Sequence, residues 1–475
     1  MPATQISGPT GRLLIGSLLD LKRDPFQAYL AAQRDHGDVV RFTAGPPGAR
    51  IKFLMVFSPE GVQQVLGAQS ANFRKDNAGY EEMRLTFGNG LLTAQDGDYQ
   101  RQRRLIQPVF TRRRVDGYAD AIGIEAESLV RRWSAVPGGA VEGTAEMSRF
   151  ALRTAARILF GTDLEAAIGA VRANFPILGA YMRSRVLSPV HLPRRWPTPK
   201  NRKARAAEQA LYAVCDDIIA RRGGQSTDDL LGQLASARGE DGERLDATEL
   251  RDQVLIFLLA GHETTATALT FALHLLGKHP EQQQRVREEV DALLGDGHRP
   301  SAADYNALPE LTCVLKESMR LFPPVPALGR RSVADCVVGD TLIPAGSDVL
   351  VSAYVTHRHP LHWEDPERFD PDRFTLEREA ARHRYAWFPF GGGPRACIGQ
   401  HFSMLESVLT LAVLLRAFEV EAVDTEVSLS QDITLVTRGP VRIKLTKRPN
   451  ITSSGSDQVS RSRRPPATAL QGPER

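Results

Sequence analysis

A glycine-rich loop in the last third of the chain carries one cysteine where a thiolate could do chemistry. The loop reads FGGGPRACIG over residues 390–399, and a run of helix-forming residues follows it. A thiol near a helix N-terminus and close to Arg395 should have a lowered pKa, while Gly393 and Gly399 would let the backbone turn tightly beside a flat group. Such a thiolate could bind a metal or act as a nucleophile. The alternative is that the cysteine, Cys397, has no chemical role and that the loop is only a glycine-rich turn.

A second polar cluster interrupts the most apolar helical pattern of the chain, which extends over residues 246–276. The sequence AGHETT at 260–265 places Glu263 and Thr264 among residues that otherwise favour a buried helix. Threonine hydroxyls can bond to backbone carbonyls and open a helix locally, which makes room for a ligand. The alternative is a polar kink in which Glu263 joins an ion pair.

The pattern F-x-x-G-x-R-x-C-x-G over residues 390–399 resembles the haem-ligand loop of the cytochrome P450 family. The resemblance covers roughly residues 8–448. It implies a soluble, bacterial-type haem-thiolate monooxygenase, in which haem b is bound through Cys397 as the metal ligand and one oxygen atom of O2 enters an apolar substrate.

The resemblance also assigns roles to the polar cluster of the long helix. Glu263 and Thr264 resemble the family's acid–alcohol pair, which implies that both are catalytic. Cleavage of the oxygen–oxygen bond needs two protons in an otherwise apolar pocket, and a carboxyl beside a hydroxyl can hold and recharge a chain of waters.

Four further residues match positions that hold the haem propionates in the family. Tyr99-x-x-x-Arg103 occupies the place of the family's W-x-x-x-R, and Tyr99 departs from the tryptophan there. A phenol can still donate to a carboxylate, and an arginine pairs with one well. Arg330 and Arg395 match the other two positions, although Arg331 competes with Arg330. An exposed charge is the alternative for each arginine.

Two clusters have structural or rival interpretations. Glu317-x-x-Arg320 resembles the family's E-x-x-R, which implies a buried network completed by Arg368. Three histidines within 357–362 suggest zinc, but Pro360 breaks the spacing and no cysteine or glutamate stands at ligand spacing.

The elements that must position these residues are mainly helical with a small β portion. We therefore expect the cytochrome P450 fold, with the haem between the long central helix and the Cys397 loop. Predicted helices cover residues 119–133, 203–222, 246–276, 280–294, 309–321 and 399–415. Predicted strands cover residues 39–42, 51–56, 336–338, 341–343 and 441–445. Residues 193–203 are interpreted as a surface connection between helices, with a domain linker as the alternative.

Composition limits the remaining possibilities. The chain has 475 residues, 42% of them apolar, and a net charge of +4, which argues against wholesale disorder and against a nucleic-acid partner. Four cysteines are too few for a disulfide scaffold in a chain of this length, and no two of them form a C-x-x-C pair, so neither a zinc ribbon nor a thioredoxin-like dithiol is supported. Length alone suggests about three domains, but one haem would unify residues 1–450 into a single oxygenase domain. Residues 451–475, rich in Ser, Pro and Arg, are predicted to be a disordered tail.

Partners and location follow from the same sequence. Neither a signal peptide nor a membrane anchor is evident, so we expect a cytoplasmic protein. Electrons should come from a ferredoxin or flavodoxin with its reductase, docked on a basic patch formed by Arg101, Arg104, Arg112–Arg114, Arg382, Arg384 and Arg395. The substrate is expected to be a terpenoid, fatty acid or polyketide. The alternatives are a peroxide-using or rearranging enzyme of the same fold and a non-enzymatic haem binder.

Overall fold

The computed structural model describes residues 6–160, 165–186, 188, 192–221, 229–238, 242–295 and 297–449. The predicted tail, 451–475, lies outside the described residues. The helices are α1 (Leu18–Arg23), α2 (Pro25–His36), α3 (Pro59–Gln63), α4 (Ala78–Phe87), α5 (Asp96–Ile106), α6 (Arg112–Asp116), α7 (Ala119–Ser134), α8 (Gly143–Phe160), α9 (Glu165–Val186), α10 (Pro199–Ala220), α11 (Leu230–Ser236), α12 (Ala247–Lys278), α13 (Pro280–Leu294), α14 (Pro309–Leu321), α15 (Ala353–Thr356), α16 (Leu376–Ala380) and α17 (Gln400–Ala417).

The strands form four small sheets in the described part of the chain. They are β1 (Val39–Ala44), β2 (Ile51–Val56), β3 (Phe73–Arg74), β4 (Ala140–Glu142), β5 (Leu328–Ser332), β6 (Cys336–Val338), β7 (Thr341–Ile343), β8 (Asp348–Val351), β9 (Phe418–Ala422), β10 (Leu429–Gln431), β11 (Leu435–Thr437) and β12 (Arg442–Lys447). One sheet has the order β1-β2-β8-β5-β3, in which only β2 and β8 pair in parallel. A second has the order β4-β12-β9, and two hairpins pair β6 with β7 and β10 with β11. The fold is mainly helical with a small β portion, as predicted.

The central element is α12, which packs against α8, α10, α14 and α17. Asp246 caps its N-terminus in a reciprocal capping box with Glu249, and the helix is buried over most of its length. By length and composition it could cross a membrane, but 78% of its most apolar window is buried inside the protein. A core helix that is apolar on all sides gives the same signal.

Several predicted elements have the observed bounds. Helices α13 and α14 and strands β6 and β7 coincide with their predicted ranges, and β2 does so as well. Helix α10 begins at Pro199 instead of residue 203, because Thr198 accepts a hydrogen bond from the Asn201 N–H as an N-cap. Residues 193–198 therefore lie in the connection between α9 and α10, and residues 199–203 are the first residues of α10.

The predicted network around Glu317 exists, but its third member is wrong. Arg320 is fully buried and binds the Glu317 carboxylate through two hydrogen bonds of 2.6 and 2.8 Å. Arg373 lies 3.5 Å from the same carboxylate. The Arg368 side chain is 67% exposed and faces Asp370, and Arg368 contributes only its carbonyl oxygen to Arg320. A sequence pattern cannot distinguish a side-chain partner from a backbone one.

Two of the three histidines of the rival zinc cluster have hydrogen-bond partners, and the third, His362, lies with its ring centroid 5.3 Å from that of His359. The His357 Nε2 atom accepts the Phe388 N–H at 2.9 Å, and His359 donates to Asp38 at 2.9 Å. Within the described residues, three or more possible metal ligands of the His, Cys, Asp or Glu type do not come together anywhere.

Candidate active site

The cysteine loop is fixed by two glycines and one backbone hydrogen bond. Gly391 and Gly393 have φ values of +69° and +63°, which favour glycine. A Cβ on Gly393 would lie 1.8 Å from the Leu66 carbonyl oxygen, so a side chain cannot be accommodated. The Cys397 N–H donates to the Phe390 carbonyl at 2.9 Å. Gly399, expected to make a tight turn, has an ordinary φ of −90°, and Gly391 takes the left-handed conformation instead.

Cys397 faces a large internal cavity of about 1300 Å³. Its thiol is exposed to this space, but dense protein surrounds the position, and burial raises the pKa of the Cys397 thiol. The Gly399 N–H, Arg103 and Lys75 act in the opposite direction. The expectation of a lowered pKa was therefore wrong for the protein alone, because desolvation outweighs these contributions.

The predicted cofactor-binding residues all line this cavity. The Tyr99 hydroxyl donates to the Pro394 carbonyl at 2.7 Å, and the Arg395 guanidinium lies 3.5 Å above the Tyr99 ring centroid. Arg103 donates to the Ala396 carbonyl at 3.2 Å. Arg330 is 3% exposed and lines the cavity, whereas Arg331 is not among the lining residues and pairs with Asp348 at 3.3 Å. The structure thus separates the two adjacent arginines.

Lys75 belongs to the same group of cations, and the sequence offered no motif that would reveal it. It is buried, lines the cavity, and donates from Nζ to the Leu92 carbonyl at 3.0 Å. Burial lowers the pKa of Lys75, and the neighbouring charges of Arg395 and Arg330 lower it further. Lys75 lies in the loop before α4, which only the tertiary fold brings to the cysteine loop.

These cations fit an anionic, flat group placed over Cys397. Their hydrogen bonds go largely to backbone carbonyls, and the buried Nε of Arg395 has no partner in the described structure. Buried cations without a carboxylate partner are costly. Carboxylates carried by a bound cofactor would satisfy the free donors.

The acid–alcohol pair lies on helix α12 and lines the same cavity as Cys397. Helix α12 runs uninterrupted through residues 260–265, so the expected local opening is not present. The Thr264 hydroxyl donates to the Ala260 carbonyl at 2.8 Å. Glu263 accepts a 2.6 Å hydrogen bond from the Thr434 hydroxyl, and burial raises the pKa of Glu263 to about 7 despite that bond. The acid is thus held by the β10–β11 hairpin, and it forms no ion pair with any of the described residues.

A second buried carboxyl, also without a sequence signal, belongs to Glu406 on α17. Glu406 is 1% exposed, and neither of its carboxyl oxygens has a hydrogen-bond partner among the described residues, although the neighbouring Thr265 of α12 acts to lower its pKa. Burial raises the pKa of Glu406 to about 8. A protonatable group therefore lies on the core side of the helix, behind the Thr264 wall.

Most of the remaining wall is apolar. Phe257, Ala260, Val325, Leu328 and Val436 all line the cavity. Helix α9 contributes Phe175, Met182 and Arg183 to the lining. Such a cavity holds an apolar molecule and few waters.

The expected basic patch is smaller than the sequence suggested. Arg104, Arg112–Arg114 and Arg384 are exposed. Arg101 pairs with Glu249, Arg395 lines the cavity, and Arg382 lies over the Trp363 ring at 4.0 Å from its centroid. The prediction that Arg101, Arg382 and Arg395 belong to a basic surface patch was therefore wrong. Helix α6, which carries Arg112–Arg114, packs on α17 directly after the cysteine loop.

Comparison with known proteins gives a consistent result. The family profile described as cytochrome P450 matches residues 6–446. The chain is 35% identical over 426 residues to the cyclooctat-9-en-7-ol 5-monooxygenase of Streptomyces melanosporofaciens, covering 89% of this chain and 91% of that one. It is 34% identical to the pentalenene oxygenase of Streptomyces avermitilis, covering 86% and 89% of the two chains. It is 36% identical to the cyclooctatin synthase of Streptomyces melanosporofaciens, covering 92% and 94%.

The chain belongs to the cytochrome P450 family. It is a haem-dependent monooxygenase that inserts one atom of O2 into an organic substrate with haem b as cofactor, and it requires an external electron donor.

Proposed function

We propose that Cys397 is the proximal haem ligand and that the enzyme hydroxylates or epoxidises a terpenoid in its cavity. The observation that carries this proposal is that the Cys397 thiol is exposed to a cavity that Ala260 and Thr264 also line. When bound, the haem supplies activation of dioxygen, and the thiolate supplies electron density for that chemistry. The iron charge would favour the thiolate form that burial alone disfavours.

We infer that Tyr99, Arg103, Arg330 and Arg395, joined by Lys75, hold the haem propionates. Their spare donors and shared lining of the cavity support this assignment. Arg395 is also fixed by the Tyr99 ring and the Ala94 carbonyl, so its guanidinium is oriented before the cofactor arrives.

Glu263 and Thr264 are proposed to move protons on the distal side. A carboxyl with a pKa of about 7 can both release and regain a proton near neutrality. The Thr264 hydroxyl, bonded to the Ala260 carbonyl, keeps its oxygen free to accept. Phe257 and Ala260 keep the surrounding space apolar and limit the number of waters there.

The terpenoid class is supported by the apolar cavity and by the printed names of the relatives. A polar substrate would leave its own groups unsatisfied against residues such as Phe175, Val325 and Leu328, whereas an apolar one gains by leaving water.

A ferredoxin or flavodoxin is the proposed electron donor. The exposed cations Arg104, Arg112 and Arg113 are next to the cysteine side of the site and would attract an acidic partner. We further propose that residues 1–450 form one oxygenase domain and that the protein is cytoplasmic without a membrane anchor. The disorder of residues 451–475 stays a prediction.

The decisive experiment compares Cys397→Ser with Cys336→Ser. Cys397→Ser should abolish the long-wavelength Soret band of the reduced carbon-monoxide complex, whereas Cys336, remote from the cavity lining, should not affect it. An unchanged band in Cys397→Ser would refute the ligand assignment. Binding of cyclic terpenes, fatty acids and polyketides, followed by product analysis with a ferredoxin system or with peroxide, tests the substrate class and the route of electrons. Preferential binding and turnover of a fatty acid or polyketide would overturn the terpenoid assignment.

A further inference from the structure

We propose that Asp252 and Gln253 of α12 are positioning residues for the haem propionate cations Lys75 and Arg395, which they hold in place through the backbone of residues 88–94. We call residues 88–94, which join α4 to α5, the carbonyl loop. The inference rests on the proposed assignment of Lys75 and Arg395 to the propionates. It gives a role at the haem to a turn of α12 that comes before the cavity-lining residues of that helix.

The carbonyl loop supplies backbone acceptors for both cations. Lys75 donates from Nζ to the Leu92 carbonyl at 3.0 Å, and Arg395 donates to the Ala94 carbonyl at 2.6 Å. Besides burial, the charges of Arg395 and Arg330 lower the pKa of Lys75, which shows that they repel its ammonium. Cations that repel one another need acceptors to keep them together. Because a lysine side chain is flexible, the position of Lys75 depends on where the Leu92 carbonyl stands.

The carbonyl loop is bonded to itself, so its two ends are coupled. The Ala94 N–H donates to the Gly90 carbonyl at 2.7 Å, and the Thr93 hydroxyl donates to the Gly88 carbonyl at 2.6 Å. Thr93 is fully buried. Anchoring of the first residues of the loop therefore also fixes the carbonyls of Leu92 and Ala94.

Asp252 anchors the start of the carbonyl loop on α12. Its Oδ2 atom accepts the Asn89 N–H at 2.8 Å. The loop lies directly on the helix, because a Cβ on Gly90 would lie 2.5 Å from Cδ1 of Ile256. A Cβ on Gly88 would lie 2.1 Å from the Asp252 carboxylate. The carboxylate thus has no room to leave the Asn89 N–H on that side.

Two buried glutamines provide the second anchor. Gln253 accepts the Leu91 N–H at 3.0 Å through Oε1, and its Nε2 donates to Oε1 of Gln102 at 2.9 Å. The Nε2 of Gln102 donates to the Asn89 carbonyl at 2.8 Å. Both glutamines are 0% exposed. The hydrogen bonds form a closed path between the Asn89 carbonyl and the Leu91 N–H, and a fully satisfied buried network of this kind holds its members in one arrangement.

The same network relates α12 to the helix that carries two further propionate residues. Gln102 belongs to α5, as do Tyr99 and Arg103. The alternative is that the network stabilises the fold and has no influence on the haem. The two possibilities differ in a measurable way, because only the proposed role predicts a change at the haem beyond the loss of stability.

The first test measures haem loss and reduction potential of the holoenzyme in Gln253→Leu. The Leu91 N–H would lose its acceptor, so the carbonyl loop should shift and the Leu92 carbonyl should no longer hold Lys75. Transfer of haem to excess apomyoglobin should become about tenfold faster, as expected for the loss of one charged hydrogen bond. The midpoint potential should fall, because a displaced cation stabilises the reduced haem less.

Gln283→Leu is the matched control. Gln283 is 2% exposed and also holds the backbone, since its amide donates to the Leu276 and Val420 carbonyls at 3.1 and 2.8 Å and accepts the Val420 N–H at 2.9 Å. It is not among the residues that line the cavity. Gln283→Leu should lose similar stability in urea and keep the wild-type haem transfer rate and potential. Equal acceleration of haem loss in Gln283→Leu and Gln253→Leu would overturn the proposal.

The role of Asp252 is tested by a conservative variant. Asp252→Asn keeps an oxygen acceptor for the Asn89 N–H and should retain haem nearly as well as the wild type, whereas Asp252→Leu should lose it faster. Equally fast haem loss in the two variants would overturn the assignment of Asp252 as a positioning residue.

A double-variant cycle shows whether Gln253 acts through Lys75. Once Lys75→Met has removed the cation, Gln253→Leu should matter less, so the double variant should lose haem clearly more slowly than the product of the two separate accelerations. An acceleration equal to that product would overturn the proposal. Gln102→Leu breaks the same network at another point and should also speed haem loss, which keeps the test available if Gln253→Leu does not fold.

The Lys75→Met variant also separates this inference from the proposed function. Haem loss at the wild-type rate in Lys75→Met would overturn the assignment of Lys75 to the propionates and the inference with it. Fast haem loss in Lys75→Met, together with wild-type rates in Gln253→Leu and Gln102→Leu, would overturn the inference alone.

Discussion

The hydroxyl of Thr434 lies 2.6 Å from the carboxylate of Glu263, and this contact joins the central helix to the β10–β11 hairpin. Two residues earlier in the same turn, Asp432 pairs with Arg183 of α9 at 2.9 Å. The negative charge of Asp432 also contributes to the raised pKa of Glu263. Three elements of the cavity wall therefore set the environment of one carboxyl.

Thr434→Val should move the pH dependence of catalysis to higher pH. The hydrogen bond from Thr434 lowers the pKa of Glu263 while burial raises it to about 7, so removal of the hydroxyl should raise that pKa further. The measurement is the fraction of reducing equivalents recovered in product across a pH series. Thr437→Val, at the end of the same hairpin, is the matched control and should leave the profile in place. An unshifted profile in Thr434→Val would show that the contact does not tune Glu263.

Glu406→Gln should reduce the dependence of stability on pH. Because burial raises the folded-state pKa of Glu406 to about 8 from 4.5, the folded protein keeps a proton that the unfolded chain has lost. The free energy of unfolding should therefore fall as the pH rises between those two values, and Glu406→Gln should remove this part of the slope. Urea unfolding of the holoenzyme across this range measures it, with exposed Glu364→Gln as control. The same slope in wild type and Glu406→Gln would contradict the assignment.

Arg320→Met should destabilise the protein strongly, by about 3–5 kcal/mol, because it leaves the buried Glu317 carboxylate without its main partner. Arg368→Met removes a side chain that is 67% exposed and should change stability by about 0.5 kcal/mol or less. Urea midpoints of the two variants give the comparison. An equal loss of stability in the two variants would show that the Arg368 side chain does belong to the network.

Lys75→Met and Arg330→Met should each speed haem loss, by about tenfold or more if each removes a charged hydrogen bond to a propionate. Transfer of haem to excess apomyoglobin measures the rate. Arg331→Met is the matched control, since Arg331 pairs with Asp348 and does not line the cavity. If Lys75→Met retained haem as well as the wild type does, Lys75 would not be one of the residues that hold the haem propionates.

The elements with strong local signals were predictable. The Asp246–Glu249 capping box, Pro280 and Pro309 at first helical positions, and the short β6–β7 hairpin each determine local conformation within a few residues. Strands β5 and β8 were missed because they are short and gain their stability from pairing across long sequence separations. Helix α9 was missed because it contains Pro176, which usually ends a helix.

The residues of the site also fall into two groups, those that a local sequence pattern indicates and those that no such pattern indicates. Cys397, Glu263 and Thr264 belong to continuous patterns, so the sequence could indicate them. Lys75, Thr434 and Glu406 belong to none, and only the packing of distant segments brings them to the cavity or behind its wall. The pKa of Cys397 went against expectation because the sequence shows nearby charges but does not show desolvation.

The strand order β1-β2-β8-β5-β3 has a consequence for synthesis on the ribosome. Strands β1, β2 and β3 are complete by Arg74, but β2 pairs with β8 and β3 pairs with β5, and β8 ends only at Val351. Strands β2 and β3 must therefore wait through most of translation for these partners, and the unpaired edges that they expose meanwhile are prone to aggregation. Cys397 emerges later still, so the nascent chain can complete neither this sheet nor the cysteine loop until its last third has been made.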